Sequence, residues 1–128
     1  MIHRFNLRVY YEDTDLAGIV YYANYLRFIE RGRSEWVREL GIDQAAMKEA
    51  GTVFAVRRVE ADYLQPAYYD DELSVETEIR SASAARLVLQ QRVLRGDTRL
   101  FEAVVTIVAI GDSGAPQRLP AAIRRGVS

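Results

Sequence analysis

The sequence predicts an α+β protein in which one long helix lies across the face of an antiparallel sheet. A single long segment carries apolar residues at helical spacing, and much of the remaining chain alternates between apolar and polar residues, as strands do. These segments follow in the order strand, long helix, short helix and four further strands. The chain has 128 residues, of which 49% are hydrophobic. We therefore expect one globular domain over residues 1–128.

The first strand is predicted over Arg4–Glu12, where apolar residues occupy every second position from Phe5 onward. The acidic run Glu12–Asp15 ends this strand, and Gly18 follows three residues later. Both features are typical of a loop. We expect this loop to lead directly into the long helix.

The long helix is predicted over Ala23–Leu40, because apolar residues recur there at intervals of three and four. Gly41 is a suitable C-terminal stop, and Asp43 is a suitable N-cap for a short second helix that ends at Ala50. Gly32 lies inside the long helix, where glycine costs about 1 kcal/mol relative to alanine. We expect a neighbouring strand or helix to approach the long helix closely at this glycine.

Four strands in meander order are predicted after the helices, because these segments alternate or are rich in β-forming residues. They are Val53–Leu64, Glu72–Arg80, Arg86–Arg95 and Leu100–Ile110. The last strand is apolar on both faces, which is typical of a central strand or of one covered on both sides. The sheet face that the long helix leaves uncovered carries Val104 and Val108, which predicts oligomerisation. The residues after Pro120 are predicted to form a short polar tail.

The composition argues against several classes of function. Lysine and arginine total 17 and aspartate and glutamate total 18, so the basic excess that is typical of nucleic-acid binders is missing. The sequence has no cysteine and one histidine, His3, which falls at an N-terminus that we expect to be frayed. A thiolate nucleophile, a histidine-based triad and a metal site are therefore not expected. No stretch is typical of a membrane span or a signal peptide, which predicts a cytoplasmic protein.

Five of the eight tyrosines lie between Tyr10 and Tyr25, around the acidic loop. Aromatic walls beside a carboxylate at the start of a helix form a plausible pocket. Backbone N–H groups at a helix start can polarise a carbonyl oxygen, and Asp15 could act as a nucleophile or a general base. This arrangement suits an activated acyl substrate such as a thioester, without a metal or cofactor. An aspartate before a helix is also commonly a cap or a turn former, so the pattern alone leaves both roles open.

The stretch from Tyr10 to Tyr25 resembles the signature of hotdog-fold thioesterases, in particular the YbgC-like acyl-CoA thioesterase and 4-hydroxybenzoyl-CoA thioesterase group. It reads Tyr-Tyr-Glu-Asp-Thr-Asp-Leu-Ala-Gly-Ile-Val-Tyr-Tyr-Ala-Asn-Tyr. Segments 28–36, 56–58, 63–67 and 70–73 also resemble motifs of this group, and the similarity covers about residues 5–120. The resemblance implies a curved antiparallel sheet wrapped around one long central helix, and hydrolysis of acyl-CoA thioesters.

The resemblance also implies roles for individual residues. Asp15 matches the catalytic aspartate, and Tyr22 matches the residue whose backbone N–H polarises the thioester carbonyl. Tyr11 matches a pocket-lining tyrosine, and Gly18 and Tyr21 belong to the same substrate-binding motif. Many YbgC-like members have histidine in place of Tyr22, whereas the 4-hydroxybenzoyl-CoA branch has tyrosine. The acyl preference therefore stays open between short-chain aliphatic and 4-hydroxybenzoyl-type groups.

Three arginines, Arg57, Arg58 and Arg86, are candidates for binding the anionic nucleotide end of CoA, because arginine binds phosphate well. Solvated strand faces explain these arginines equally well. The resemblance further implies homodimers with the site at the subunit interface, which often pair into tetramers. An acyl carrier protein could also replace CoA as the carrier of the acyl group.

Two alternative functions are compatible with the same fold. One is a non-catalytic acyl-CoA-binding or scaffold protein, since YbgC-like members are associated with the Tol-Pal cell-envelope system and with phospholipid-synthesis enzymes. The other is a hotdog hydratase or dehydratase. Those enzymes typically pair an acid with a histidine, and His3 is poorly placed for that role.

Overall fold

Five strands and three helices are present in the computed structural model, which describes residues 1–125. The strands are β1 (His3–Arg8), β2 (Val53–Tyr63), β3 (Glu72–Ala82), β4 (Arg86–Arg95) and β5 (Thr98–Ile110). The helices are α1 (Asn24–Glu39), α2 (Gln44–Glu49) and α3 (Ala121–Arg125). The predicted α+β class is confirmed. Over the described residues, no helix is long and apolar enough to cross a membrane.

The five strands form one antiparallel sheet in the order β1-β3-β4-β5-β2. The predicted meander of four strands is therefore wrong for β2, which pairs with β5 and not with β3. The prediction failed because it assumed that strands adjacent in sequence are also adjacent in the sheet. The predicted central position of the last strand is confirmed, since β5 has β4 on one side and β2 on the other.

A β-bulge at Arg57 interrupts β2, where the pairing register shifts between Val56 and Arg58. Val56 pairs with Ile107 before the bulge, and Val59 pairs with Val105 after it. Because a bulge adds one residue to a strand, valines three positions apart lie on the same face of the sheet. That face is the inner one, which carries the hydrophobic core.

Helix α1 packs across the inner face of the sheet through a buried apolar stripe that includes Phe28, Ile29 and Trp36. Gly32 lies at the closest approach to β3. A Cβ atom at this position would lie 2.5 Å from Cγ1 of Val75. The predicted close approach of a strand at this glycine is confirmed, and it explains why a poor helix former occupies the middle of the helix.

Strand β1 ends at Arg8, earlier than the predicted Glu12. A 3₁₀ turn over Tyr11–Asp13 replaces the end of the predicted strand. The Tyr10 N–H donates to the Asp13 carboxylate over 2.8 Å, and the Asp13 N–H donates back to the Tyr10 carbonyl over 3.0 Å. These local bonds favour the turn over strand pairing, and they leave Tyr11 with 83% of its surface exposed.

The two ends of the described chain are more ordered than the sequence suggests. His3 is not frayed, because it lies in β1 and its Nε2 atom is 2.8 Å from a carboxylate oxygen of Glu39. The predicted polar tail begins as α3, whose Ile123 side chain is fully buried in the core. The last part of that predicted tail, residues 126–128, lies outside the described residues.

The coverage of the inner face is uneven. Val75 in β3 and Leu89 in β4 lie beneath α1 and are fully buried. On β2, in contrast, Val56, Val59 and Tyr63 keep 49%, 39% and 48% of their surface exposed. Residues 1–125 therefore leave one apolar edge of the sheet exposed.

Candidate active site

Residues 13–21 form a tight loop that leads into α1. The Asp15 N–H donates to the Ile19 carbonyl and the Tyr21 N–H donates to the Asp13 carbonyl, each over 2.9 Å. Thr14 and Val20 form an antiparallel bridge between these two bonds. Because backbone bonds close the loop on both sides, Asp15 is held in a defined position.

The Asp15 carboxylate is oriented through only one of its oxygens. Oδ1 accepts a hydrogen bond from the Ala17 N–H over 2.9 Å, and the Asp15 carbonyl accepts one from the Gly18 N–H over 3.0 Å. Gly18 has a φ of +79°, a conformation that favours glycine. The second carboxylate oxygen, Oδ2, has no hydrogen-bond partner among residues 1–125. Asp15 is therefore a turn former with one carboxylate oxygen left free to react.

A cleft of about 750 Å³ opens beside this carboxylate. It is lined by Tyr11, Thr14, Asp15, Leu16, Gly18 and Tyr69. Three residues that the sequence singled out, Tyr11, Asp15 and Gly18, therefore share one cleft. Tyr69 was missed, although two consecutive tyrosines after Pro66 were an available signal. A bridge between Ile19 and Tyr68 brings that tyrosine pair to the loop.

Asp13 ties the loop to the start of α1. Its side chain is buried and accepts from the Tyr10 N–H, as described above. Its carbonyl accepts from the Tyr21 N–H and also, over 2.9 Å, from the side-chain amide of Asn24. Asn24 is the first residue of α1 and is itself buried. The position of the catalytic candidate is thus coupled to the helix start.

The start of α1 presents unpaired backbone donors. The N–H groups of Tyr22 and Ala23 find no acceptor within residues 1–125. Such groups carry partial positive charge and can bind a carbonyl oxygen on which negative charge develops. The rings of Tyr21 and Tyr22 are exposed and lie 4.9 Å apart, but they do not line the Asp15 cleft.

An aromatic cluster supports the helix start from beneath. Tyr25 stacks on Phe101 with ring centroids 5.0 Å apart, and its hydroxyl accepts from the Ala67 N–H over 3.0 Å. The hydroxyl of Tyr63 donates to the Tyr22 carbonyl over 3.0 Å. Burial raises the pKa of both Tyr25 and Tyr63 above the ordinary value of 10.0. The cluster therefore ties the end of β2 and the loop after Pro66 to the start of α1.

The three arginines proposed for CoA binding lie on the sheet, away from the cleft lining. Arg57 forms the bulge of β2, and Arg86 is the first residue of β4. Arg58 forms an ion pair of 3.2 Å with Glu60. All three are exposed. The structure therefore does not bring them together with Asp15, and their role in CoA binding stays a prediction.

Three features occur together within residues 1–125, namely an α+β fold, a carboxylate in a closed loop and unpaired backbone donors at a helix start. The thioesterase-like superfamily matches residues 9–127, and the chain belongs to this superfamily. The family predicted from the Tyr10–Tyr25 stretch is thereby confirmed.

A relative of known name and two solved structures illustrate the similarity. The chain is 40% identical to the acyl-CoA thioester hydrolase YbgC of Escherichia coli O6:H1, over 95% of this chain and 92% of the relative. It is 40% identical to a probable thioesterase from Bartonella henselae, with a TM-score of 0.90 over 94% and 100% of the two chains. A 1,4-dihydroxy-2-naphthoyl-CoA thioesterase from Synechocystis has a TM-score of 0.91 over 99% and 96%, at 21% identity. That last similarity concerns the fold alone, and the predicted hotdog fold is confirmed.

Proposed function

We propose that the protein hydrolyses acyl-CoA thioesters to a free acid and CoA. One structural observation supports this proposal above all, namely the free Oδ2 of Asp15 in a loop that is tied to the unpaired Tyr22 N–H. The similarity to acyl-CoA thioester hydrolases of the YbgC type, at 40% identity over most of both chains, supports the same substrate class.

In the proposed reaction the Tyr22 N–H binds the carbonyl oxygen of the thioester. It stabilises the negative charge that develops on this oxygen when the carbonyl carbon is attacked. The Ala23 N–H is close enough in sequence to serve as a second donor. Tyr11 and Tyr69 form the aromatic walls against which the acyl group packs, since both line the cleft beside Asp15.

Two routes are compatible with the position of Asp15. On the first, Oδ2 attacks the carbonyl carbon, the thiolate of CoA leaves, and water hydrolyses the resulting acyl-aspartyl anhydride. On the second, Oδ2 takes a proton from water as that water attacks the carbonyl carbon. Both routes need the ionised carboxylate, and both release the acid and the thiol of CoA.

Replacement of Asp15 by asparagine tests this proposal sharply. Asparagine keeps an oxygen that can accept from the Ala17 N–H, so the turn is preserved while the charge is lost. We expect the rate of thiol release from acyl-CoA to fall by about 10²–10⁴-fold. Asp43→Asn, which changes the N-cap carboxylate of α2 in the same way, should leave the rate unchanged. Near-normal turnover by folded Asp15→Asn would overturn the proposal.

A panel of CoA esters measures which acyl group the protein prefers. Short aliphatic, long aliphatic and 4-hydroxybenzoyl-CoA esters should be compared in the wild type and in Tyr22→His. Because the proposed contribution of Tyr22 is its backbone N–H, we expect the histidine variant to keep its turnover number within about tenfold of the wild type. A shift in the preferred ester would assign the ring of Tyr22 to acyl selection.

We also propose that the active form is a homodimer built on β2, with dimers pairing into tetramers. Strand β2 lies at one end of the sheet, so one of its edges has no neighbouring strand among residues 1–125. Its inner face is apolar and half exposed, and Tyr63 on that face touches Tyr22. A partner that pairs with this edge would cover the apolar face and would lie beside the helix start.

The alternative of a non-catalytic acyl-CoA-binding or scaffold protein makes a different prediction. Such a protein would bind acyl-CoA esters with measurable affinity and release no thiol. Titration calorimetry and thiol release on the same esters distinguish the two. A cytoplasmic location, an acyl-carrier-protein partner and an association with phospholipid-synthesis enzymes or the Tol-Pal system stay predictions of the family resemblance.

A further inference from the structure

Tyr63, the last residue of β2, reaches across to the start of α1. Its hydroxyl donates a hydrogen bond to the Tyr22 carbonyl, with 3.0 Å between the two oxygens. The two residues are 41 positions apart in the sequence. The contact therefore joins the sheet to the turn that carries the proposed oxyanion donor.

The Tyr22 carbonyl accepts none of the backbone hydrogen bonds that begin α1 within residues 1–125. The Asn24 N–H donates to the Tyr21 carbonyl over 2.8 Å, and the Leu26 N–H donates to the Ala23 carbonyl over 3.2 Å. Among residues 1–125, no backbone N–H donates to the Tyr22 carbonyl between them. The Tyr63 hydroxyl is thus the one donor in the described chain that fixes this peptide group.

The ring of Tyr63 is itself held in place by aromatic neighbours. It lies 5.0 Å from Phe101 and 5.6 Å from Tyr25, measured between ring centroids, and both contacts are edge-on. It also lies 6.2 Å from the ring of Tyr22. These contacts orient the ring, so the hydroxyl donates from a fixed direction.

We propose that Tyr63 is a positioning residue for thioester hydrolysis, whose hydroxyl holds the peptide group between Tyr22 and Ala23 so that the Ala23 N–H points at the thioester oxygen. A peptide group is planar, so a bond to the Tyr22 carbonyl also fixes the direction of the Ala23 N–H in the same plane. This inference rests on the proposed role of the Ala23 N–H as a second donor. Tyr63 itself does not touch the reacting atoms in this scheme.

The test replaces Tyr63 with phenylalanine, which removes one oxygen and keeps the ring. Because a misdirected donor loses stabilisation of the transition state and not of the bound substrate, we expect kcat to fall about 10- to 100-fold while KM stays within about twofold. The amide resonance of Ala23 in the ¹H–¹⁵N spectrum of the full-length protein should move. The particle mass by light scattering should match that of the wild type at the assay concentration.

Tyr25→Phe is the matched control. It removes a hydroxyl from the same aromatic cluster, but that hydroxyl contacts Ala67 and not Tyr22. We expect this variant to lose thermal stability and to keep its kcat within about twofold of the wild type.

The outcomes separate the two proposals. A lower kcat with an unchanged KM and a shifted Ala23 amide resonance supports the positioning role. A kcat within about twofold of the wild type in folded Tyr63→Phe overturns it, as does a lower kcat with an unmoved Ala23 amide. If Asp15→Asn retains turnover, the proposed reaction fails instead, whatever Tyr63→Phe does.

Discussion

The sheet beneath α1 and the sheet edge at β2 contain similar apolar residues, yet this chain covers them very differently. Val75 and Leu89, beneath the helix, are fully buried, whereas Val56 and Val59 on β2 keep roughly half their surface exposed. The same residue type on the same face of one sheet is therefore core in one region and surface in the other. What differs is the position relative to α1. The first region is core within a single chain, and the second is the surface on which the proposed dimer would form.

The largest expected effect comes from a charge placed on the open edge. Val59→Lys puts an ammonium on the inner face of β2, where the proposed partner would bury it. We expect the protein to become monomeric in analytical ultracentrifugation and to lose most of its thiol-release activity. Glu60→Lys is the control, because Glu60 is the next residue and faces the opposite side of the strand. A Val59→Lys protein that keeps the mass of the wild type would contradict the proposed dimer surface.

Substitutions in the covered region beneath α1 should lower folding stability without changing the oligomeric state. Gln91 is fully buried beneath α1, where its amide donates to the Ile29 carbonyl and the Thr77 hydroxyl, each over 2.9 Å. Its oxygen accepts from Arg33 over 3.1 Å. Burial lowers the pKa of the Arg33 guanidinium, and the negative charge of Glu30 opposes part of that shift.

Gln91→Leu removes this set of bonds and leaves the Arg33 donor and the Ile29 carbonyl with one partner fewer. We expect the free energy of unfolding to fall by about 3 kcal/mol in urea titrations. Gln90→Leu, on the outer face of the same strand, should change the free energy by less than about 0.5 kcal/mol. Equal effects at both positions would mean that the buried hydrogen bonds of Gln91 contribute nothing specific to folding stability.

Several parts of this comparison were predictable from the sequence. Alternation and β-forming composition predicted all five strands, and the helical spacing of apolar residues predicted α1. The N-cap at Asp43 predicted α2, and Gly32 indicated that a strand or a helix lies close to α1. The order of the strands was not predictable in this way, because β2 selects β5 through contacts far apart in sequence. The bulge at Arg57 left a visible trace, since two arginines break the alternation of β2, but its effect on the inner face needed the pairing register.

The candidate site also contains residues that the local sequence pattern predicted and residues that only tertiary contacts bring together. Tyr11, Asp15 and Gly18 belong to one continuous stretch, so the motif identified them together and the structure places them in one cleft. Tyr63 and Tyr69 come from segments more than 40 residues away and reach the site only through the folded sheet. Local pattern therefore indicated the acidic loop, whereas the groups that support it depend on tertiary contacts.

A smaller effect is expected where α1 touches β3. Gly32→Ala places a methyl group 2.5 Å from Cγ1 of Val75. The crowding costs about 1–3 kcal/mol, and alanine returns about 1 kcal/mol through its higher helix propensity. We expect a net loss of about 1 kcal/mol in the free energy of unfolding.

A double-mutant cycle gives this prediction its control. Val75→Ala removes the methyl groups that the new side chain would meet, so Gly32→Ala should cost less in that background than in the wild type. If the two substitutions are additive, the crowding is relieved elsewhere in the structure. The helix then does not lie against β3 as tightly as the geometry indicates.

The smallest effect is a dependence of stability on alkaline pH, carried by the tyrosines that join the two regions. Burial raises the pKa of Tyr25 above 10.0, so the folded protein retains this proton where the unfolded chain has lost it. Stability from this group is complete below pH 10.0 and declines as the pH rises above that value. Urea titrations between pH 9 and 11 should show the decline. Tyr25→Phe should flatten it, whereas Tyr10→Phe, which removes an exposed hydroxyl, should not. A decline of the same slope in Tyr25→Phe would mean that the Tyr25 hydroxyl does not cause the pH dependence of folding stability.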